Sequence, residues 1–242
     1  MACTEFTLKD RTEKKALDLN VETEYNIQVP KGSTHLLCGP SSSGKTYRVA
    51  QLLQIKEEYI ADGHSIQNIV FCYAAWQPIY DLLKEKNVVT KWVNYLPSNE
   101  QFIELVEDYK DSGGSIIVLD DFLTELNRDM VEIVCVTSRH YNAVTFILFQ
   151  SLFPPNPLAR QISLNVKYLY IHKNPRENAQ ISYLARQISP NSYKWIVDAY
   201  HEATKEPYSC FVIDMTQETP DGLRFRSNIL PHEFPIIIYQ KA

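Results

Sequence analysis

The sequence predicts an α/β protein of three layers, with helices on both faces of a mostly parallel central sheet. From Tyr25 onward, short apolar runs alternate with longer amphipathic segments, the pattern of strands joined by crossover helices. Two runs, Ser-Ile-Ile-Val-Leu at 115–119 and Val-Thr-Phe-Ile-Leu-Phe at 144–149, are almost continuously apolar, as strands buried on both faces must be. A third run, His-Leu-Leu-Cys at 35–38, passes into the turn 39–46 and then into a helix-like segment.

In chain order, residues 1–20 are polar and charged and are expected to form a loosely held arm, followed by a single domain over 21–242. No stretch reads as a Gly-, Ser- or Pro-rich linker that would divide it. Strands are expected near 25–29, 34–38, 69–73, 115–119, 143–149, 166–172 and 210–214. Helices are expected over 45–61, 76–86, 99–110, 127–138, 176–187 and 191–203. Beyond Pro207 the chain is β-rich, with Thr-Pro-Asp-Gly at 219–222 as a turn. This 210–242 appendix suits an edge hairpin, and its apolar tail at 235–240 suits either an ordinary edge strand or a docking strand.

Composition narrows the class. Hydrophobic residues make up 45% and charged residues 22%, which allows a sizeable core and argues against disorder. The 5 cysteines are scattered, and Cys38, Cys72 and Cys210 fall in strand-like runs. They read as buried thiols in a reducing compartment rather than a disulfide or zinc framework. No apolar stretch is long enough for a membrane span, and no secretory leader is legible, so an intracellular soluble protein without a membrane partner is expected. Net charge is −5, yet 157–187 carries Arg160, Lys167, Lys173, Arg176 and Arg186 against Glu177 alone. That stretch is therefore +4 and the remainder −9, an asymmetry suited to a phosphate-facing surface on an acidic body, and equally to a solvated basic face.

Gly39, Pro40, Ser41, Ser42, Ser43, Gly44, Lys45 and Thr46 match G-x-x-x-x-G-K-[ST], with a strand before and a helix after, as the motif requires. Consecutive backbone N–H groups in such a loop surround a phosphate, and the helix that follows points its positive end at the anion. Lys45 would bridge the β- and γ-phosphates of ATP, and the Thr46 hydroxyl would ligate Mg²⁺.

The strand at 115–119 ends in Asp120 and Asp121, 75 and 76 residues after Lys45. Parallel strands end on one edge of the sheet, so both carboxylates should arrive beside the bound metal. Asp120 suits the metal-holding role, and Asp121 the orientation and deprotonation of an attacking water. Gln150, ending the strand 143–149, should reach the same edge and contact the γ-phosphate. An additional strand, 69–73, falls between the phosphate loop and the acidic strand, unlike the usual kinase or GTPase order.

With these residues in view, the chain resembles the genome-packaging ATPases of the FtsK-HerA superfamily, in the branch found in poxviruses, adenovirus-like elements and Polinton or Maverick elements. The likeness spans about 34–237. It is carried by the loop 39–46, Val-Leu-Asp-Asp at 118–121, Ser-Arg-His-Tyr-Asn at 138–142 leading into 146–153, and Lys-Asn-Pro-Arg at 173–176 followed by Leu-Ala-Arg-Gln at 184–187. The loop is common to many proteins; the other segments together are far more specific. The resemblance implies a homo-oligomeric ring that pumps double-stranded DNA, in the nucleus or cytoplasm of a host cell or on a virion, with a capsid or terminal protein as partner. It also implies an arginine supplied across the subunit boundary, with Arg176, Arg139, Arg160 and Arg186 as candidates and Arg176 favoured because it follows a strand and starts a helix. Many cellular members carry Glu where this chain has Asp121, and their extra DNA-orienting domains have no counterpart here.

Two other functions share the loop. A small phosphate-transferring kinase would use the arginines of 160–186 as a lid, and a nucleotide-dependent assembly subunit would use ATP only to set oligomer geometry. The strand order and the paired acids favour the motor.

Overall fold

The computed structural model describes residues 2–6, 28–176, 178–233 and 235–241. Its elements in chain order are β1 (Ala2–Phe6), β2 (Thr34–Cys38), α1 (Lys45–Gln54), α2 (Lys56–Tyr59), β3 (Asn68–Tyr73), α3 (Pro78–Glu85), β4 (Lys91–Val93), α4 (Asn99–Val106), β5 (Ser115–Asp120), α5 (Arg128–Glu132) and α6 (Ser138–His140). There follow β6 (Ala143–Phe149), α7 (Pro157–Asn165), β7 (Tyr168–His172), α8 (Asn178–Ile188), α9 (Tyr193–Ala203), β8 (Cys210–Asp214), β9 (Phe225–Ser227) and β10 (Ile236–Gln240).

The strands form one sheet in the order β1-β10-β9-β8-β7-β2-β6-β5-β3-β4. From β7 to β4 every neighbouring pair is parallel; from β7 to β1 every pair is antiparallel. The expected class, a mostly parallel sheet with a strand inserted between the loop-bearing and acidic strands and a β-rich carboxy-terminal part, is the observed one. In the chain the inserted strand is β3, as expected. In space it is β6 that separates β2 from β5, while β3, which comes between them in the sequence, pairs on the far side of β5.

Side-chain alternation builds the layers. On β5, Ile117 and Leu119 join one core and Ile116 and Val118 the other; on β6, Ile147 and Phe149 oppose Val144, Phe146 and Leu148 in the same way. Helices α4, α5, α7, α8 and α9 bury apolar residues in the first core, and α1 and α3 in the second. Every residue of β5 and β6 is buried, which is why these two runs carry almost no polar residues.

Several boundaries depart from the periodicity. The long helix expected over 45–61 breaks at Ile55 into α1 and α2. Helix α7, absent from the expected elements, begins where the Asn156 side chain accepts a hydrogen bond from the Leu158 N–H at 2.9 Å and Pro157 supplies a preset φ. The strand expected at 25–29 lies outside the described residues except for Gln28 and Val29, the latter bridged to Ile60. Residues 2–6, expected within a loose arm, form the outermost strand β1. The apolar tail is therefore neither an edge nor a docking strand: β10 is paired on both sides, by β9 and β1. The appendix is held by Asp214, whose carboxylate accepts from the Thr216 and Thr219 hydroxyls at 2.7 Å and pairs with buried Arg226 at 2.9 Å.

Cys38, Cys72 and Cys210 are buried on β2, β3 and β8. Among the described residues no helix is long and apolar enough to cross a membrane.

Candidate active site

The carboxyl ends of β2, β6, β5, β3 and β7 share one edge of the sheet, and the loop between β2 and α1 lies in its middle. Its two glycines are demanded by different facts. A methyl group on Gly39 would stand 2.7 Å from Ser43 Oγ and 2.8 Å from His172 Cβ, so only hydrogen fits between the loop and β7. Gly44 caps α1 at φ 94°, a left-handed conformation that side-chain-bearing residues rarely adopt. Beyond it the amino end of the 10-residue α1 presents its unpaired N–H groups to the loop.

The Lys45 ammonium folds back over the loop and donates to the carbonyls of Gly39 at 2.7 Å and Pro40 at 2.9 Å. Burial pushes Lys45 below its ordinary pKa, opposed by the Asp120 carboxylate. Asp120 is itself buried, 3% exposed, and its Oδ2 accepts from the Thr46 hydroxyl at 3.0 Å and the Tyr80 hydroxyl at 2.7 Å. Burial raises the Asp120 pKa while those two hydroxyls, which hydrogen-bond the charged form, oppose the rise. A hydroxyl and a carboxylate 3.0 Å apart are hard oxygen donors that fit Mg²⁺, with phosphate oxygens and water filling the rest of its shell.

Asp121 points outward. Its φ of 65° turns the chain sharply at the end of β5, and its Oδ1 accepts from Gln150 Nε2 at 2.9 Å. Lys45, Thr46, Asp120, Asp121 and Gln150 are thus brought to one place. Of the four candidate arginines, Arg176 is exposed in the turn between β7 and α8, on the same edge as the loop, with its N–H on Asn174 Oδ1 at 3.2 Å. Arg139 lies at the opposite edge, its backbone against Gly32 before β2. Arg160 is exposed on α7, and Arg186 stacks on Tyr193 with 4.5 Å from guanidinium to ring centre.

Three side chains without a sequence signal also belong to the site. Tyr80, fully buried on α3, reaches Asp120 from an aromatic cluster with Tyr73, Trp76 and Trp92, at ring separations of 5.6, 5.4 and 5.5 Å. Arg48, buried in the first turn of α1, pairs with Glu233 at 2.7 Å. His172, buried behind Gly39, has its pKa lowered to about 3 by burial first and then by Arg48 and Lys45. A polar residue inside a helix or strand becomes legible only when its distant partner is known.

No protein-family model matches the sequence, and no curated protein is similar to it. Among solved structures, the chain is similar to a KaiC-like protein of the hyperthermophilic archaeon Pyrococcus horikoshii OT3, with 15% identity over 88% of this chain and 92% of that one, at a TM-score of 0.45.

Proposed function

We propose that this protein is a Mg²⁺-dependent ATPase that works as a homo-oligomeric ring and translocates double-stranded DNA, packaging a genome into a capsid. The observation that carries the ATPase part is the meeting of Lys45, Thr46, Asp120, Asp121 and Gln150 at the carboxyl edge of the sheet, against the amino end of α1. The loop N–H groups and Lys45 bind and orient the triphosphate, with Lys45 exchanging its Gly39 and Pro40 carbonyls for phosphate oxygens. Bound Mg²⁺, held by Thr46 and Asp120, would neutralise charge on the phosphates. Asp121, kept in place by Gln150, takes the proton of the attacking water, and Gln150 senses whether the γ-phosphate is present. Arg176, free to project from the sheet edge, is the residue a neighbouring copy would insert to complete the charge stabilisation.

The DNA and ring parts rest on the resemblance carried by 118–121, 138–153 and 173–187, and on the positive stretch 157–187, whose Arg160, Lys173, Arg176 and Arg186 are exposed. The test is steady-state ATP hydrolysis with and without double-stranded DNA, for the wild type and Lys45→Ala, with mass by light scattering. Hydrolysis that DNA stimulates, that Lys45→Ala abolishes and that appears only in the ring-sized fraction is the expected result. Hydrolysis indifferent to DNA would remove the motor and leave the ATPase; phosphorylation of a small acceptor without DNA would replace it with a kinase.

A further inference from the structure

The site has a direction. The carboxylates and Gln150 all lie on the β6 and β5 side of β2, so a triphosphate in the loop points its γ end that way. Its nucleoside must leave on the other side, over β7 and β8. There the chain entering β8 reaches the same edge of the sheet, because Cys210 pairs with His172 and Ile171 with Cys38.

Two residues before Cys210 stands Tyr208. A methyl group on Gly44 would lie 3.3 Å from both Cβ and Cδ1 of Tyr208, so the tyrosine rests directly against the last glycine of the loop. Yet Tyr208 is 67% exposed, the most open of the large apolar side chains among the described residues. Its φ of 65° is a left-handed conformation unfavourable for a ring-bearing residue, and its carbonyl is held at 3.3 Å by Arg48, which Glu233 anchors in turn. The same arginine sits in the first turn of the helix that follows the loop, so the ring is fixed relative to the phosphate site.

We infer that Tyr208 is the stacking platform for the nucleobase of the bound nucleoside triphosphate. The inference rests on the triphosphate reading of 39–46 and adds where the base lies. An aromatic face accepts any base, so the platform contributes affinity without selecting among bases.

Calorimetric titration of the full chain with ATP and with inorganic tripolyphosphate, both in Mg²⁺, separates base from phosphate. Tyr208→Ala is expected to weaken ATP by about tenfold, the order that base stacking supplies, with tripolyphosphate unchanged within about twofold. Tyr208→Phe should retain ATP affinity, and Tyr208→Leu, which keeps apolar bulk without a π face, should lose it as alanine does. Should Tyr208→Ala fail to fold, the leucine and phenylalanine variants carry the same contrast. Unchanged ATP binding in Tyr208→Ala would overturn the inference, as would equal loss of both ligands, which would make the ring a prop for the loop. So would an effect seen in Tyr47→Ala instead, since Tyr47, 56% exposed, is the nearest aromatic in sequence. Lys45→Ala should weaken both ligands; indifference of both would bring down the triphosphate reading itself and the base platform with it.

Discussion

The two flanks of β2 are built differently. Toward β6 and β5, the groups proposed to act sit at or just beyond strand ends: Asp120 ends β5, Asp121 follows it, and Gln150 follows β6. Toward β7 and β8, they come from scattered places: Arg48 from a helix, Tyr208 from a loop and Glu233 from a short turn near the end of the chain. Groups that handle charge transfer gain from the rigid, common edge of parallel strands, whereas a surface that only holds a ligand can be assembled from loops.

If the first flank carries chemistry and the second positioning, substitutions should separate them. The largest effect is expected for Lys45→Ala, which belongs to both flanks and should cut ATP hydrolysis by about a thousandfold or more in a phosphate-release assay. Asp121→Asn should lower kcat by about a hundredfold while leaving ATP affinity within about twofold, since it removes a proton acceptor and keeps the shape. A matching loss of affinity would show that Asp121 holds the nucleotide rather than the water.

Across β2, Glu233→Gln leaves Arg48 buried without its charge partner and is expected to cost about 2–3 kcal/mol in urea unfolding, with kcat at saturating ATP nearly unchanged. A large fall in kcat would erase the division between flanks. Tyr80→Phe keeps the ring in its aromatic cluster but removes one donor to Asp120 Oδ2; kcat should fall by about tenfold and the Mg²⁺ requirement should rise.

A further effect is graded with pH. His172, beside the loop, and His35, on β2 and hydrogen-bonded to Ser33 and Tyr170, both have pKa values lowered to about 3 by burial. The unfolded chain takes up protons on them below about pH 6.5 that the folded chain refuses, so their contribution is intact above that pH and shrinks as pH falls toward 3. Each contributes a slope of up to about 1.4 kcal/mol per pH unit, and His172→Gln should remove one such share from urea midpoints measured across that range.

The same division explains what was legible in the sequence. The loop 39–46 and the paired acids lie in contiguous residues beside runs whose apolarity marks them as central strands, so both local pattern and placement are legible together. The spatial place of β6 is not, because periodicity identifies a strand without saying which neighbour it pairs with. Helix α7 carries a weak signal because Pro157 and Asn165 bound a short segment whose apolar stripe is only Ala159 and Ile162 at its buried centre. Tyr80, Arg48 and Tyr208 are ordinary residues until Asp120, Glu233 and Gly44, 40, 185 and 164 positions away, are set beside them.

The pairing of β1 with β10 has a consequence in time. Phe6 faces Ile236, and Ala2 faces Gln240, so more than two hundred residues are synthesised between the outermost strand and its neighbour in the sheet among the described residues. At about 5–20 residues per second, roughly ten to fifty seconds of translation separate the two. During that interval the parallel half can fold around the loop 39–46, while β1 waits without its partner strand. The border of the sheet is sealed only once β10 has been made.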